Sequence, residues 1–217
     1  DYTFLTWGTL ELYEATFDPS YIQTALTLNQ DLLSHFWDES GGGFYFTADD
    51  GEKLFTRPKE IYDGATPSGN SVAFLNLLRL GRITSDSSLE ERAAKIGSAF
   101  SNSIRQMPSA YTQFLVGLDF ALGPSYEVVI AGDSGKEDTR AMLNALRMEF
   151  LPNKILLFRP TEIEAPDIIR LAPFTEDMST IEGKATAYVC TNYACKVPTT
   201  DINKMLELLN AKAKLEN

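Results

Sequence analysis

From Arg57 to Ser71 the chain reads RPKEIYDGATPSGNS, which puts two cations and two carboxylates, Arg57, Lys59, Glu60 and Asp63, within seven residues. Glu60 and Asp63 have the residue types of the acid and base pair that sugar hydrolysis or epimerisation needs, one carboxyl protonated by its surroundings and the other ionised. The same four side chains also suit a loop closed by local ion pairs, the commoner use of such clusters. Ser68 and Asn70 then lead into the apolar run VAFLNLLRL, so that a loop and a helix N-terminus together have the form of a pocket wall. Upstream, Trp37, Asp38 and Phe44, with Asp1, Tyr2 and Phe46 of the same types, would stack on sugar rings and accept hydroxyl hydrogens. The structural alternative is core packing for the aromatics and a cap or turn for Asp38 before Gly41, Gly42 and Gly43.

These residues need elements to hold them, and the apolar spacing supplies candidates. Phe4, Trp7, Leu10, Tyr13 and Phe17 recur at helical steps, and after Asp18 and Pro19 a second stripe runs through Ile22, Ala25, Leu28, Leu32 and Phe36. Together they predict a helical hairpin. The glycines then break the pattern, and Phe44–Phe46 with Lys53–Thr56 across the turn ADDGE predict a small β-hairpin. Thr66 and Pro67 start a third helix, and Ser87 with Glu90 reads as a capping box for a fourth through Ala93, Ile96, Phe100 and Ile104. The two helix pairs align at a spacing of 68 residues, as in repeated hairpins. A fifth helix runs from Pro108 to Leu122.

Beyond it, Tyr126–Ala131, Lys154–Phe158 and Thr186–Cys190 read as strands, with a helix from about Lys136 to Phe150 between the first two, a βαβ unit with a third strand. The last helix, Asp201–Lys212, either covers that sheet or returns to complete a third hairpin, and the return is the reading adopted. AGDSGKED after the first strand lacks the spacing of a phosphate loop; Ser134 and Glu137 read as a capping box instead.

Composition narrows the function classes. Among 217 residues, 44% are hydrophobic, enough for a sizeable core, and the formal net charge of −11 opposes binding to a phosphate backbone. No apolar run approaches the ~18 residues that span a bilayer, and the absence of an initiator Met before Asp1 suggests a piece of a larger protein. With one histidine, His35, and two cysteines, an ordinary four-ligand zinc site is out of reach, so neither a metal nor another cofactor is expected. Cys190 and Cys195 would lie about 16 Å apart on a straight strand, so a disulfide requires Asn192 and Tyr193 to turn the chain back. Free thiols and a reducing, cytoplasmic setting are expected.

The motifs DGATPSGNS (Asp63–Ser71), GGGFYFT (Gly41–Thr47) and VCTNYACKVPTTD (Val189–Asp201) are similar to those of the spermatogenesis-associated protein 20-like family over nearly the whole chain. The resemblance implies the C-terminal part of large proteins that carry an N-terminal thioredoxin-like domain and an (α/α)6 toroid related to N-acylglucosamine 2-epimerases and six-hairpin glycosidases. It therefore implies a mainly α fold and carbohydrate as the substrate class. Residues 1–124 are expected to form half of the toroid, 125–198 an inserted small α/β subdomain, and 199–217 a helix returning to the toroid. The expected function is binding or modification of a carbohydrate. Glu60 and Asp63 would be catalytic, and Arg57, Lys59, Ser68, Asn70, Trp37, Asp38 and Phe44 would bind substrate. The alternative is a non-catalytic interaction platform for the thioredoxin-like domain or a protein client. The expected partners are a small sugar, the remainder of the parent chain and, through an exposed apolar edge, a second copy of the fragment; nucleic acid and membrane are not expected.

Overall fold

The structure is a computed structural model and describes residues 1–210. It divides into two compact units, one of residues 1–82 and 86–122, the other of residues 123 onward together with Ile83–Ser85.

The first unit is helical: α1 (Tyr2–Thr16), α2 (Pro19–Phe36), α3 (Gly69–Thr84), α4 (Ser87–Gln106) and, after a 3-10 turn at Pro108–Ala110, α5 (Thr112–Leu122). Asp18 accepts the Ser20 amide and Pro19 opens α2, so the chain reverses between α1 and α2 with almost no loop. α1 presents Thr3, Thr6, Leu10 and Tyr13 to the core; Leu10 and Tyr13 belong to the expected stripe, but at the N-terminal end the face is rotated so that Thr3 and Thr6 replace Phe4 and Trp7, and Phe4 is partly in solvent. Its polar partners explain the rotation: the Thr3 carbonyl accepts Asn76 Nδ2 (2.7 Å), and Glu11 and Glu14 receive Arg79 (2.6 and 3.2 Å). α3 is the central element, buried on nearly every side from Asn70 to Ile83. The cap of α4 lies one residue before the expected Ser87, with Asp86 accepting the Ser88 amide, while Glu90 pairs with Arg82 at 3.0 Å. Gly117 of α5 lies flush on Phe74 of α3, where a Cβ would come within 2.5 Å of the ring, and Phe74 stacks on Phe114 at 4.4 Å.

The small β-hairpin expected at Phe44–Phe46 and Lys53–Thr56 is not formed. The backbone groups of the first segment are taken elsewhere: Tyr45 N–H donates to Phe36 O, Phe46 N–H to Pro58 O, and Phe44 bridges Trp37. Lys53–Thr56 is exposed loop. What does form is a reversal through Gly42 and Gly43 (φ 69° and 80°), where a Cβ on Gly42 would meet the Lys95 carbonyl at 2.8 Å.

The second unit holds β1 (Tyr126–Gly132), α6 (Glu137–Met148), β2 (Lys154–Pro160), α7 (Asp167–Leu171), β3 (Thr186–Thr191), β4 (Ala194–Cys195) and α8 (Ile202–Leu208). Its sheet has the order β2-β1-β3-β4, with β1 and β2 parallel through the α6 crossover and β3 antiparallel to β1. Four strands stand where three were expected, because Asn192 and Tyr193, both left-handed (φ 51° and 62°), turn β3 back on itself. That turn also overturns the expectation of free thiols: Cys190 and Cys195 face each other across it, Cα atoms 3.8 Å apart, and form a disulfide. Ser134 does not cap α6, which starts at Glu137; its hydroxyl donates to Glu162 instead. Of the two placements open for the last helix, the packing observed is on α6 and β3 of this unit. The expected run of that helix through Ala211 and Lys212 lies outside the described residues.

Candidate functional site

The segment Arg57–Ser71 lies in the helical unit between the glycine reversal and α3, and its alternating burial decides what each side chain can do. Ile61 and Asp63 are buried, whereas Glu60 and Tyr62 face solvent. Asp63 Oδ1 accepts the Ser68 amide at 2.8 Å, and Oδ2 accepts the amides of Gln113 and Phe114 at 2.9 and 3.1 Å. Those two amides belong to the first turn of α5, so Asp63 supplies from a distance the cap that the helix would otherwise lack. Its own N–H donates to Ala110 O. One carboxylate thus ties the loop, the start of α3 and the start of α5 together.

Asn70 performs the equivalent task for the glycine reversal. Its Oδ1 accepts Phe44 N–H (2.7 Å) and its Nδ2 donates to the carbonyls of Phe44 (2.9 Å) and Glu60 (2.7 Å). A buried side-chain amide here takes the place of a neighbouring strand. Ser68 caps α3, its hydroxyl accepting the Ser71 amide at 3.0 Å. Phe44 is buried edge-on against Trp37, with ring centres 5.0 Å apart, and the Arg92 guanidinium lies 5.2 Å from the Trp37 ring.

The charged residues are likewise engaged. Asp38 Oδ2 accepts Lys59 Nζ at 2.7 Å, and Oδ1 accepts the Ser40 hydroxyl and the amides of Ser40 and Gly41. The Lys59 ammonium first, and then the Ser40 hydroxyl, hold the Asp38 carboxyl well below the usual carboxylate range. Lys59 Nζ also donates to Gly42 O (2.8 Å), and Arg57 donates to the carbonyls of Thr47 and His35 while its guanidinium covers Tyr45 at 4.4 Å. His35, half exposed, pairs with Asp49 (3.0 Å) and Asp50 (3.7 Å). That hydrogen bond to Asp49 raises its pKa above the ordinary histidine value.

Chemically, the buried carboxylates at Asp38 and Asp63 have their oxygens occupied by protein donors, and Glu60 stands in solvent. The polar residues among the nine singled out thus bond mainly to protein backbone and to side chains around them, Asp38 with Lys59, Asp63 with Ser68, and Asn70 with Phe44 and Glu60. An apolar cavity of about 670 Å³ lies elsewhere in the unit, between α3, α4 and α5. Phe74, Leu78, Ile104, Phe114 and Leu118 line it, with Arg82 and Glu90 at its edge. Sequence reasoning passed over Arg79 and Arg82, though two arginines in an otherwise apolar helix signal buried partners, here Glu11, Glu14 and Glu90.

No protein-family profile matches the chain. It is 35% identical over 97% of its length to spermatogenesis-associated protein 20 of Homo sapiens, and 34% identical over 97% to the Rattus norvegicus protein of the same name. It is also 29% identical over 97% of its length to an uncharacterised protein of Caenorhabditis elegans. The chain spans about a quarter of these curated relatives, 27% of the first two and 28% of the third.

Proposed function

This chain belongs to the spermatogenesis-associated protein 20-like family as its C-terminal part, and on that premise we propose that it is a non-catalytic binding platform within a larger protein. The observation that carries the reading is that Asp38, Lys59, Arg57, Asp63 and Asn70 are each hydrogen-bonded to protein partners that fix the surrounding backbone, which commits both buried carboxylates and the side-chain amide to the fold. The hairpins α1–α2 and α3–α4, with α5 beginning a third, support the view that the first unit is part of a ring of helical hairpins. The second unit is then an α/β insertion. The apolar cavity between α3, α4 and α5 is the docking place, and its occupant is a helix from the remainder of the parent chain, since nearly three quarters of the relatives' length lies outside the matched region.

Leu118→Asp tests the platform. It places a charge on the cavity wall at a half-buried position, so the separate chain should keep its circular dichroism. Capture of the separately produced remainder of the parent should fall by at least tenfold, the equivalent of ~1.4 kcal/mol. Undiminished capture would remove the cavity from the interface.

A second reading, carbohydrate binding or modification as in the related toroids, has one specific support. Glu60 and Tyr62 both project to solvent from alternate positions of an extended segment, pairing a carboxylate with an aromatic face. On this reading the sugar lies across Tyr62, not among the buried residues.

A further inference from the structure

We propose that the Cys190–Cys195 disulfide is an exchange site that accepts electrons from a dithiol, with Glu127 as the group that handles the proton. Three residues carry it, and the sheet register sets them in a row. Glu127 of β1 pairs with Cys190 of β3, and Cys190 pairs with Cys195 of β4. Residues directly opposite one another in antiparallel strands project to the same face, about 5 Å apart, so the carboxyl and both sulfurs share one face of the sheet. Glu127 is buried in β1 directly before the apolar run Val128, Val129, Ile130 and Ala131, and its Oε2 accepts the Tyr193 amide at 3.2 Å. The carboxylate therefore reaches across β3 to the turn that closes the disulfide loop.

The two sulfurs are unequal. Cys190 is 2% exposed, whereas Cys195 lies on the two-residue strand at the open edge of the sheet and is exposed. Access dictates the direction of attack. A thiolate of the dithiol bonds to Cys195 Sγ, the Cys190–Cys195 bond breaks, and its electron pair leaves on Cys190 Sγ. The proton released by the attacking thiol returns to Cys190 by way of the Glu127 carboxyl. The second thiol of the dithiol then attacks its own partner sulfur, expels Cys195 as a thiolate and closes the reagent's disulfide. Two electrons have moved: the dithiol is oxidised and the hairpin reduced. β4 remains held to β3 by the Lys196 N–H to Val189 O bond (2.9 Å), so the fold keeps the sulfurs near one another for reoxidation.

The test uses the full chain under native conditions. Dithiothreitol should open the disulfide without loss of circular dichroism, giving two alkylated cysteines by mass after quenching. With glutathione, the trapped mixed disulfide should map to the peptide containing Cys195. Cys190→Ser should leave a thiol that reacts readily with Ellman's reagent, and Cys195→Ser a thiol on the order of a hundredfold slower. Glu127→Gln, which preserves an acceptor for Tyr193, should slow opening by about tenfold or more while leaving the reagent's reaction with the Cys190→Ser chain unchanged. Opening only in denaturant, or trapping at Cys190, would overturn the exchange site. An unchanged opening rate in Glu127→Gln would overturn the proton assignment.

Discussion

At the scale of single residues, Asp38 and Asn70 show how side chains with the chemistry of a sugar site come to serve as fasteners. Asp38 accepts four bonds within the helical unit, and the Lys59 ammonium is the chief cause of its lowered pKa. A carboxyl whose pKa falls on folding contributes stability that is fully present above its unfolded pKa, 3.8, and that is lost as pH falls below it toward the folded value. The Tm of Asp38→Asn should thus lie below that of the parent chain at pH 7, and the gap should close as pH drops from about 4 toward 2. A gap that stayed constant across that range would mean that the Lys59 pair contributes nothing. Asn70→Ala removes three bonds at once and strands the peptide groups of Phe44 in the interior. A buried unsatisfied group costs about 1–3 kcal/mol, so the loss in denaturant unfolding should be about 3 kcal/mol, far beyond what a substrate-binding asparagine at a pocket lip would show.

At the scale of elements, helix spacing and the βαβ unit with its third strand were legible, whereas the backbone pairing around Phe44 and at Cys195 was not. The five helices of the first unit follow from apolar positions three and four apart, because that period fixes a face whatever the partner. Leu10 and Tyr13 of the α1 stripe turn inward as expected, whereas Phe4 does not, since Thr3, Glu11 and Glu14 answer to Asn76 and Arg79 some 65 to 73 positions away. The strand propensity of Phe44–Phe46 was real, but Phe36, Trp37, Pro58 and the Asn70 side chain satisfy it instead of Lys53–Thr56. The disulfide was hidden by a tyrosine in a left-handed turn, a conformation its type disfavours. Likewise the site residues were recognisable by type, whereas their roles depended on partners that spacing does not show. Two glycines give an element-scale test with opposite signs. Gly8→Ala in α1 meets no atom within 4 Å and should stabilise by about 1 kcal/mol, the helix propensity difference. Gly117→Ala gains the same propensity but drives a methyl to 2.5 Å from Phe74, a clash worth about 1–3 kcal/mol. Urea unfolding should show a net loss there of about 1 kcal/mol.

At the scale of the whole molecule, platform and sugar site make opposite demands on ligand linkage. A formal net charge of −11 leaves little attraction for nucleic acid, and no helix among the described residues is long and apolar enough to cross a membrane. The two readings at issue are a sugar and a protein segment. Any ligand that binds only the folded state adds about 2.7 kcal/mol at a hundred times its dissociation constant, whatever its chemistry. If the buried polar groups are fasteners, thermal unfolding of this chain should be unmoved by neutral, N-acylated and phosphorylated sugars, and should shift upward on addition of the parent's remaining segments. Tyr62→Ala separates the two readings without disturbing the core, because that ring is 65% exposed. A sugar-dependent shift abolished by Tyr62→Ala would place the ligand on the Glu60 and Tyr62 surface and end the platform reading. A shift with the remaining segments that survives Tyr62→Ala and is lost in Leu118→Asp would assign the apolar cavity to the rest of the chain.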